Sequence, residues 1–405
     1  MAETEPSQRA ATLTSQLDEL DAHITKLTAV EDPSQHFQAD LFDQINYQLS
    51  PVAYPDLTAR FLPRVGLILK KVAEQAATAA PTGTEVEWKG YPPPLILFTI
   101  KLLRPLDFPS ALELCQASYL ITALQSSEEY INALALAILE KAALSPSGAS
   151  ILAATPGLVE AFLERWLISP SVSVGQRGVE ILGDILDIDC PLSQPAFTDE
   201  QQEVLDIRLV RRATQGHGAV WRRLFGPDNL CWAILHKIDS ELLPAASTDS
   251  KVMAQRSCAQ DRLLRLLPRL AVLDFQSLTH CIAPAGPPES DKDEFSTSGH
   301  DGQPMSLLDF ASLHMVDRSN DYLMYLTWTE YFMQLIGALR VADTARLSVE
   351  TLRRLVREAD DEQLRNNLWS MPESLVKTPI GEADEMRAWL REISPRPSMR
   401  ITNGN

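Results

Sequence analysis

The sequence predicts an all-α protein, a HEAT- or armadillo-like α-solenoid in which helix pairs stack into a curved superhelix. The stretch 155–189 has the pattern of two short amphipathic helices joined by a tight turn, which is one unit of a helical repeat. The 27 prolines mostly stand at the ends of apolar periodic runs, where they separate helices. Strand signals are nearly absent, because neither Asp301-Gly302 nor Asn403-Gly404 lies between alternating apolar runs.

The repeat-like unit is predicted to begin with a helix that Thr155 caps and Pro156 starts, since proline at the first helical position loses no hydrogen bond. Its second helix runs from about Val174. Gly175 and Gly178 weaken a free helix, but they let a neighbouring helix approach closely. Such a pair cannot bury its apolar face alone, so it must stack in an array.

The other apolar runs also have helical spacing and are bounded by Asp, Ser or Thr caps and by prolines. They predict roughly fifteen to twenty helices in total, or about eight to ten pairs of about 40 residues each. Besides the pair in 155–189, the predicted helices are 13–27, 37–49, 56–72, 94–103, 109–124, 127–144, 147–154, 198–214, 219–225, 228–238, 251–275, 305–316, 321–341, 348–359, 361–369 and 382–393.

Composition divides the chain into four parts. Residues 1–282 carry the N-terminal and central repeats, and 305–394 carry the C-terminal repeats. The stretch 283–304 is acidic, rich in Pro, Gly and Ser, and too poor in apolar residues to offset its ordering entropy. It is therefore predicted to be a disordered insertion, and 395–405 to be a flexible tail.

Charge and cysteine content limit the partners and the compartment. The net charge of −18 disfavours nucleic acid and anionic membranes and favours a basic protein surface. The five cysteines are scattered and never form a CxxC pair, which is typical of a reduced intracellular protein without a structural metal. The polar, acidic N-terminus is unlike a signal peptide, and no apolar run is long enough to span a bilayer. We expect a cytoplasmic protein, with the nucleus as a second location.

Motifs that carry chemistry are not found. The sequence has no Walker A, HExxH, GxSxG or EF-hand pattern, and no histidine has a partner at metal-ligand spacing. The segment Gly216-His217-Gly218 is the nearest match to a phosphate loop, but Trp221 replaces the third glycine, so a helix-to-helix turn is the better interpretation. The chain is predicted to be no enzyme and to hold no cofactor or metal.

A row of charged residues on the second helix of the 155–189 unit is the first candidate contact surface. In HEAT-like stacks the second helices line the concave face, where partners bind. A solvated helix face without a partner explains the row equally well. The row opposite the apolar face consists of Arg177, Glu180, Asp184 and Asp187.

Two arginine clusters stand out from the acidic background. Arginine beside tryptophan can form a protein-binding hot spot, which makes Arg211, Arg212, Trp221 and Arg222 candidate partner-binding residues. The alternative, which the charge ladders of solenoids favour, is a helix face neutralised by acids on the next repeat. The clusters are Arg208, Arg211, Arg212, Arg222 and Arg223 around Trp221, and Arg353, Arg354 and Arg357.

Three sequence segments resemble those of a known family. The runs SVGQRGVEILGDILDIDCPL, WRRLFGPDNL and QDRLLRLLPRLAVLDF look like the fungal proteasome assembly chaperones of the regulatory-particle base, which are similar to the animal non-ATPase regulatory subunit five. The likeness extends from the first helix to about residue 370. The stretch 283–304 departs from it, which leaves the register beyond that point open.

The resemblance implies a curved α-solenoid that cradles the C-terminal domain of one AAA ATPase subunit. Such a protein would contact neighbouring base subunits, help assemble the base and block premature docking on the core particle. Contact residues cannot be carried over, because no motif fixes the register.

Two alternatives stay open. A generic HEAT-like scaffold with another cargo is consistent with the same helical pattern. A mismatch-repair accessory factor, the older label of the fungal branch, would need a continuous basic stripe, which the charge of −18 argues against.

Overall fold

Helices form wherever the sequence places apolar residues at intervals of three and four between proline and polar caps. The computed structural model describes residues 4–79, 92–244, 247–281, 305–318, 321–342, 345–374 and 381–394. Within these ranges the protein is all-helical, apart from connecting segments and one isolated bridge residue. The predicted insertion at 283–304 and the predicted tail at 395–405 lie outside the described residues.

The chain divides into two units, one ending at Arg165 and the other beginning at Trp166. The N-terminal unit contains the following helices: α1 Thr4–Ala29, α2 Ala39–Gln48, α3 Tyr54–Ala79, α4 Pro93–Leu103, α5 Phe108–Leu114, α6 Ala117–Gln125, α7 Glu129–Leu139, α8 Pro146–Ala154 and most of α9 Leu158–Ile168. The 3₁₀ turns Pro33–His36, Pro51–Ala53 and Glu140–Leu144 lie between them.

Aromatic side chains form much of the core of the N-terminal unit. Phe98 of α4 meets Phe42 of α2 and Phe61 of α3 edge-to-face, with ring centroids 5.6 and 5.9 Å apart. The α4 helix is buried on most sides, as its unbroken apolar run predicts, although Leu97 remains 43% exposed. Edge-to-face pairs of this kind add stabilisation beyond the area that they bury.

Buried polar side chains in this unit bind the carbonyls left free where helices end. Lys141 donates to the carbonyls of Arg104 and Leu106, which follow α4. Asn132 of α7 donates to the carbonyls of Ala123 and Ser126 at the end of α6. These bonds fix the corners between successive helices.

The second unit contains the helices α10 Val172–Asp189, α11 Asp199–Leu205, α12 Ala219–Phe225, α13 Leu230–Lys237, α14 Ser250–His280, α15 Leu307–Asp309, α16 Tyr322–Val341, α17 Ala345–Ala359, α18 Glu362–Ser374 and α19 Glu382–Ile393. Two π-helical segments, Ile238–Leu242 and Phe310–His314, follow α13 and α15. The α14 helix is interrupted at Asp274, whose carboxylate accepts the backbone N–H of Ser277 and so caps the last turns.

Three long helices of the second unit, α10, α14 and α16, lie side by side and parallel. On α14, Arg262 lies against Gly175 and Arg269 against Gly183, so the numbers rise together along α10 and α14. Ser257 of α14 donates to Asp321, the N-cap of α16, and Leu264 lies beside Tyr331 about two to three turns later.

Glycines on α10 make room for side chains of its neighbours, which confirms the predicted close approach. A methyl group on Gly178 would lie 2.7 Å from Trp166 of α9, and one on Gly175 would lie 2.1 Å from Arg262. The guanidinium of Arg262 occupies that gap and donates to the carbonyls of Trp166 and Leu167, at the end of α9. The elements that approach are therefore side chains rather than another backbone.

Two boundary predictions in this region are wrong. The α9 helix begins at Leu158, because Gly157 has a positive φ of 74° and Thr155 instead ends α8. The helix predicted over 198–214 stops at Leu205, because Asp206 adopts a left-handed conformation. Its predicted cap is correct, since Thr198 forms a capping box with Gln201. The connection from α10 to α12 is therefore long and mostly non-helical over 190–218.

Residues on both sides of 283–304 belong to one unit, because α16 packs along α14. The amphipathic pattern could not indicate this, since it shows which face of a helix is buried but not which helix covers it.

We expect Gly178→Ala to destabilise the protein, because its new methyl group must displace the buried ring of Trp166. Overpacking of this kind typically costs about 1–3 kcal/mol. Gly66→Ala in α3 is the matched control, since nothing lies within 4 Å of the added methyl. That control should raise stability by up to about 1 kcal/mol through helix propensity. Thermal unfolding followed by circular dichroism tests both, and equal effects of the two substitutions would contradict the packing described.

Candidate partner-binding site

The predicted charged row on α10 leads into a buried ion network. Asp184 and Asp187 lie one turn apart, and Arg269 of α14 bridges them at 2.8 Å and 3.3 Å. Gly183 makes this possible, because a methyl group there would lie 2.4 Å from the guanidinium of Arg269. Asp187 is fully buried and the Arg269 side chain is 9% exposed. A charge so far from water needs a partner, and here each charge has one.

The 190–218 connection completes the network. The guanidinium of Arg212 lies 3.3 Å from the second oxygen of Asp187 and donates to the carbonyls of Cys190 and Leu192. The backbone N–H of Val210 donates to Asp187 at 2.6 Å. The carboxylate of Asp187 therefore binds both the neighbouring helix α14 and the connection that follows the end of α10.

A second carboxylate, Asp189, orients the start of α12. It accepts the backbone N–H of Val220 at 2.7 Å, and its carbonyl accepts the N–H of Gly218. The indole of Trp221 donates to the carbonyl of Leu186 at 2.7 Å. The Gly216-His217-Gly218 segment is the last part of the 190–218 connection rather than the predicted helix-to-helix turn, because the helix before it ends at Leu205; Gly218 has a positive φ of 66°.

Burial raises the pKa values of Asp187 and Asp189 above the ordinary range of a carboxyl group. For Asp187 the positive charges of Arg269 and Arg212 act in the opposite direction. For Asp189 the opposing contribution comes mainly from backbone N–H groups at the start of α12.

Two of the four residues in the candidate row on α10 do not face solvent. Asp187 is fully buried and Asp184 is 14% exposed, because α14 and the 190–218 connection cover that part of α10. In the arginine–tryptophan group, Trp221 is 4% exposed and the Arg212 side chain is likewise 4% exposed. These four residues hold the protein together and present little surface to a partner.

The other candidates reach solvent. Glu180, Arg211 and Arg222 are exposed, and Arg177 is half-buried. Arg222 donates to the carbonyl of His217 at the start of α12. Their role in partner binding stays a prediction. In the second arginine cluster, Arg353 pairs with Glu350 of its own helix, and Arg354 pairs with Asp309 of α15 and with Glu358 of its own helix rather than with acids on a following repeat.

Sequence reasoning missed an apolar surface at the start of α16. Tyr322, Leu323 and Leu326 are 71%, 74% and 44% exposed, and they lie within the first two turns of the helix. We call these three residues the α16 patch. The signal was the run YLMYL, which is apolar at nearly every position, so one helix face alone cannot bury it.

Aromatic rings connect the α16 patch to the core. Tyr322 stacks on Tyr325 with ring centroids 6.4 Å apart, and Tyr325 stacks on Trp328 at 5.9 Å. Trp328 is 1% exposed and meets Phe332 at 4.9 Å. The exposed end of α16 is thus continuous with well-packed rings of the core.

A small apolar cleft lies elsewhere in the second unit, beside both π-helical segments. The cleft has a volume of about 40 Å³, which is room for a few water molecules. The ion pair between Asp239 and Arg256 forms part of its lining. The lining residues are Leu167, Leu235, Ile238, Asp239, Arg256, Ala259, Gln260, Leu263, Phe310 and Met315.

Comparisons with known proteins give no relative: no protein-family model, no curated protein and no solved structure matches the chain. Among the described residues, no group of three or more His, Cys, Asp or Glu side chains is arranged to hold a metal ion. In the same residues, every helix is too short or too polar to cross a bilayer.

We expect Asp187→Ala to destabilise the protein by about 3–5 kcal/mol, because it leaves Arg269 and Arg212 buried without their shared carboxylate. Arg208→Ala is the matched control, since Arg208 binds the same network through Asp184 but its side chain is 68% exposed. Loss of that exposed pair should cost less than about 1 kcal/mol. Urea unfolding of both variants measures the difference, and similar losses would show that burial does not govern the network.

We also expect Asp189→Asn to change how stability depends on pH. Because burial raises the pKa of Asp189 above 3.8, the folded chain binds this proton more tightly than the unfolded chain does. The wild-type protein therefore loses stability as pH rises from about 4 through the raised pKa, and the amide variant lacks that loss. The melting temperature of the variant minus that of the wild type should therefore increase as pH rises from about 4 to about 7. A difference that is constant across this range would contradict the assignment.

Proposed function

We propose that the chain is a non-catalytic binding protein that acts as an assembly chaperone for the base of the proteasome regulatory particle. It would cradle the C-terminal domain of one AAA ATPase subunit, contact neighbouring base subunits and keep the unfinished base from docking on the core particle. In this proposal the helix pairs form a HEAT- or armadillo-like curved superhelix, the chain needs no cofactor, and it works in the cytoplasm and the nucleus.

One observation carries the proposal. The three sequence segments that resemble the chaperone family are α10 with its first following residues, α12 with the start of α13, and α14 up to Phe275, and these helices pack on one another. Segments separated by up to about a hundred residues thus form one packed group, as parts of a shared scaffold would.

The parallel arrangement of α10, α14 and α16 supports a scaffold of stacked helix pairs. The exposed residues Glu180, Arg211 and Arg222 would lie at its surface as charged contacts. The net charge of −18 would steer the chain toward a basic partner and make the association rate fall with salt.

We expect the full-length chain to bind the isolated C-terminal domain of one proteasomal AAA ATPase subunit and not to bind the equivalent domains of the other ATPase subunits. The experiment mixes the purified chain with each domain in turn and measures binding by calorimetry at low and moderate salt. The complex should form with one copy of each protein and should need no ATP hydrolysis. Capture from the chain's own cytosol should recover base subunits without the proteolytic core particle.

Surface variants make this test specific. Glu180→Lys should weaken binding several-fold, whereas Glu113→Lys, the same change at an exposed glutamate of the N-terminal unit, should not. If no ATPase domain binds, or if cytosolic capture returns only unrelated cargo, the chaperone proposal fails and a generic scaffold remains. Salt-sensitive binding to DNA in a filter assay would instead support the mismatch-repair alternative.

A further inference from the structure

We infer that the α16 patch is a docking surface for a basic amphipathic helix of a protein partner. The inference deepens the proposed binding function by naming the chemistry of the segment that is bound. It depends on the shape of the patch, on its rigidity and on the charges around it.

The shape of the patch suits a helix. Tyr322 and Leu326 are four residues apart and Leu323 and Leu326 are three apart, so the exposed side chains lie together on one side of α16. This apolar stripe is a little over one helical turn long and has the spacing with which the anchors of an amphipathic helix enter a partner surface. Single exposed apolar residues are ordinary on a protein surface, but three adjacent ones are not.

The patch is held rigidly, so a partner would not have to order it. Asp321 caps the helix through the backbone N–H of Met324 and also accepts the hydroxyl of Ser257 on α14. Tyr325 stacks between Tyr322 and Trp328, and its hydroxyl donates to Asp361 at 3.0 Å. A preorganised surface loses little conformational freedom on binding.

The charges beside the patch select a basic partner. The contact between Tyr325 and Asp361 brings the acidic start of α18 next to the patch, where the Asp360 side chain is 87% exposed and Glu362 is also exposed. Two cations also lie there, because Arg365 pairs with Asp360 and Arg318 lies over the Trp328 ring and donates to the carbonyl of Ala359. The four acids nearby outnumber them, so the surroundings keep a net negative charge: Asp321, Asp360, Asp361 and Glu362. A second copy of this chain is disfavoured as the occupant, because two chains of charge −18 repel each other.

We expect Leu323→Lys to weaken binding of a basic amphipathic helix by roughly ten-fold or more, the effect typical of removing an interface anchor. The probe is a fluorescent 18-residue peptide with leucines on one helical face and lysines on the other, titrated with the full-length chain and followed by anisotropy. Val172→Lys is the matched control, because Val172 is 73% exposed and also lies in the first turn of its helix. Both variants change the net charge equally, so general attraction of the peptide to an acidic protein affects them alike.

Two further arms test the charge and the occupant. Leu323→Glu should weaken binding less than Leu323→Lys, because it removes the apolar anchor without adding repulsion. The same peptide with glutamates in place of lysines should bind at least ten-fold more weakly. Equal affinities of Leu323→Lys and Val172→Lys would overturn the inference. So would a dimer of the wild-type chain in sedimentation velocity that Leu323→Lys abolishes.

The same variants separate this inference from the proposed function. If the wild-type chain binds an ATPase domain and Leu323→Lys binds it equally well, the docking surface is wrong and the chaperone proposal stands. If no ATPase domain binds but the lysine peptide depends on Leu323, the chaperone proposal fails and the docking surface stands.

Discussion

Arg269 and the two carboxylates that it bridges set the constraint on which the second unit depends. Its guanidinium binds Asp184 and Asp187 where water hardly reaches, so none of these charges can lose its partner without a large free-energy penalty. Asp187 in turn binds Arg212 and the backbone of Val210. Through one carboxylate, α10, α14 and the 190–218 connection are held in a single arrangement, and any slip between them would leave a buried charge unpaired.

The register of α14 on α10 is fixed by size as well as by charge. Arg262 and Arg269 are seven residues apart on α14, and they face Gly175 and Gly183, which are eight apart on α10. Each guanidinium occupies space that a side chain would fill if the facing glycine were any other residue. Arg262 uses that space to bind the carbonyls at the end of α9, while Arg269 uses it to reach carboxylates. The two arginines thus join α9, α10 and α14 at defined positions. These contacts specify the register of the helices more exactly than apolar packing does.

The helical pattern was enough to predict an all-α chain, because apolar residues at intervals of three and four reveal a buried helix face without any knowledge of its partner. It could not predict Asp187. A helical wheel places this residue opposite the apolar side, which indicates solvent, yet the 190–218 connection covers that side and carries Arg212 to it. Nothing periodic marks the connection, because it is held by a capping box at Thr198, a left-handed Asp206 and single hydrogen bonds. Pairing across long sequence separations is the information that one sequence lacks. The opposite case is Leu323, an apolar residue that the fold leaves 74% exposed.

Burial of the central charges changes which residues of the second unit can bind a partner and what each can contribute. Exposed charges such as Glu180 and Arg222 stay hydrated, so they mainly set the encounter rate and the choice of partner. High affinity requires surface area that is buried on binding, and rigidly held apolar side chains supply this area most effectively. The α16 patch has this character, with Leu323 74% exposed beside rings that continue into the core. Strong binding at the charged residues of α10 alone would be hard to reconcile with these physical differences, since exposed ion pairs contribute little at physiological salt. A partner that uses both surfaces would be steered by the first and retained by the second.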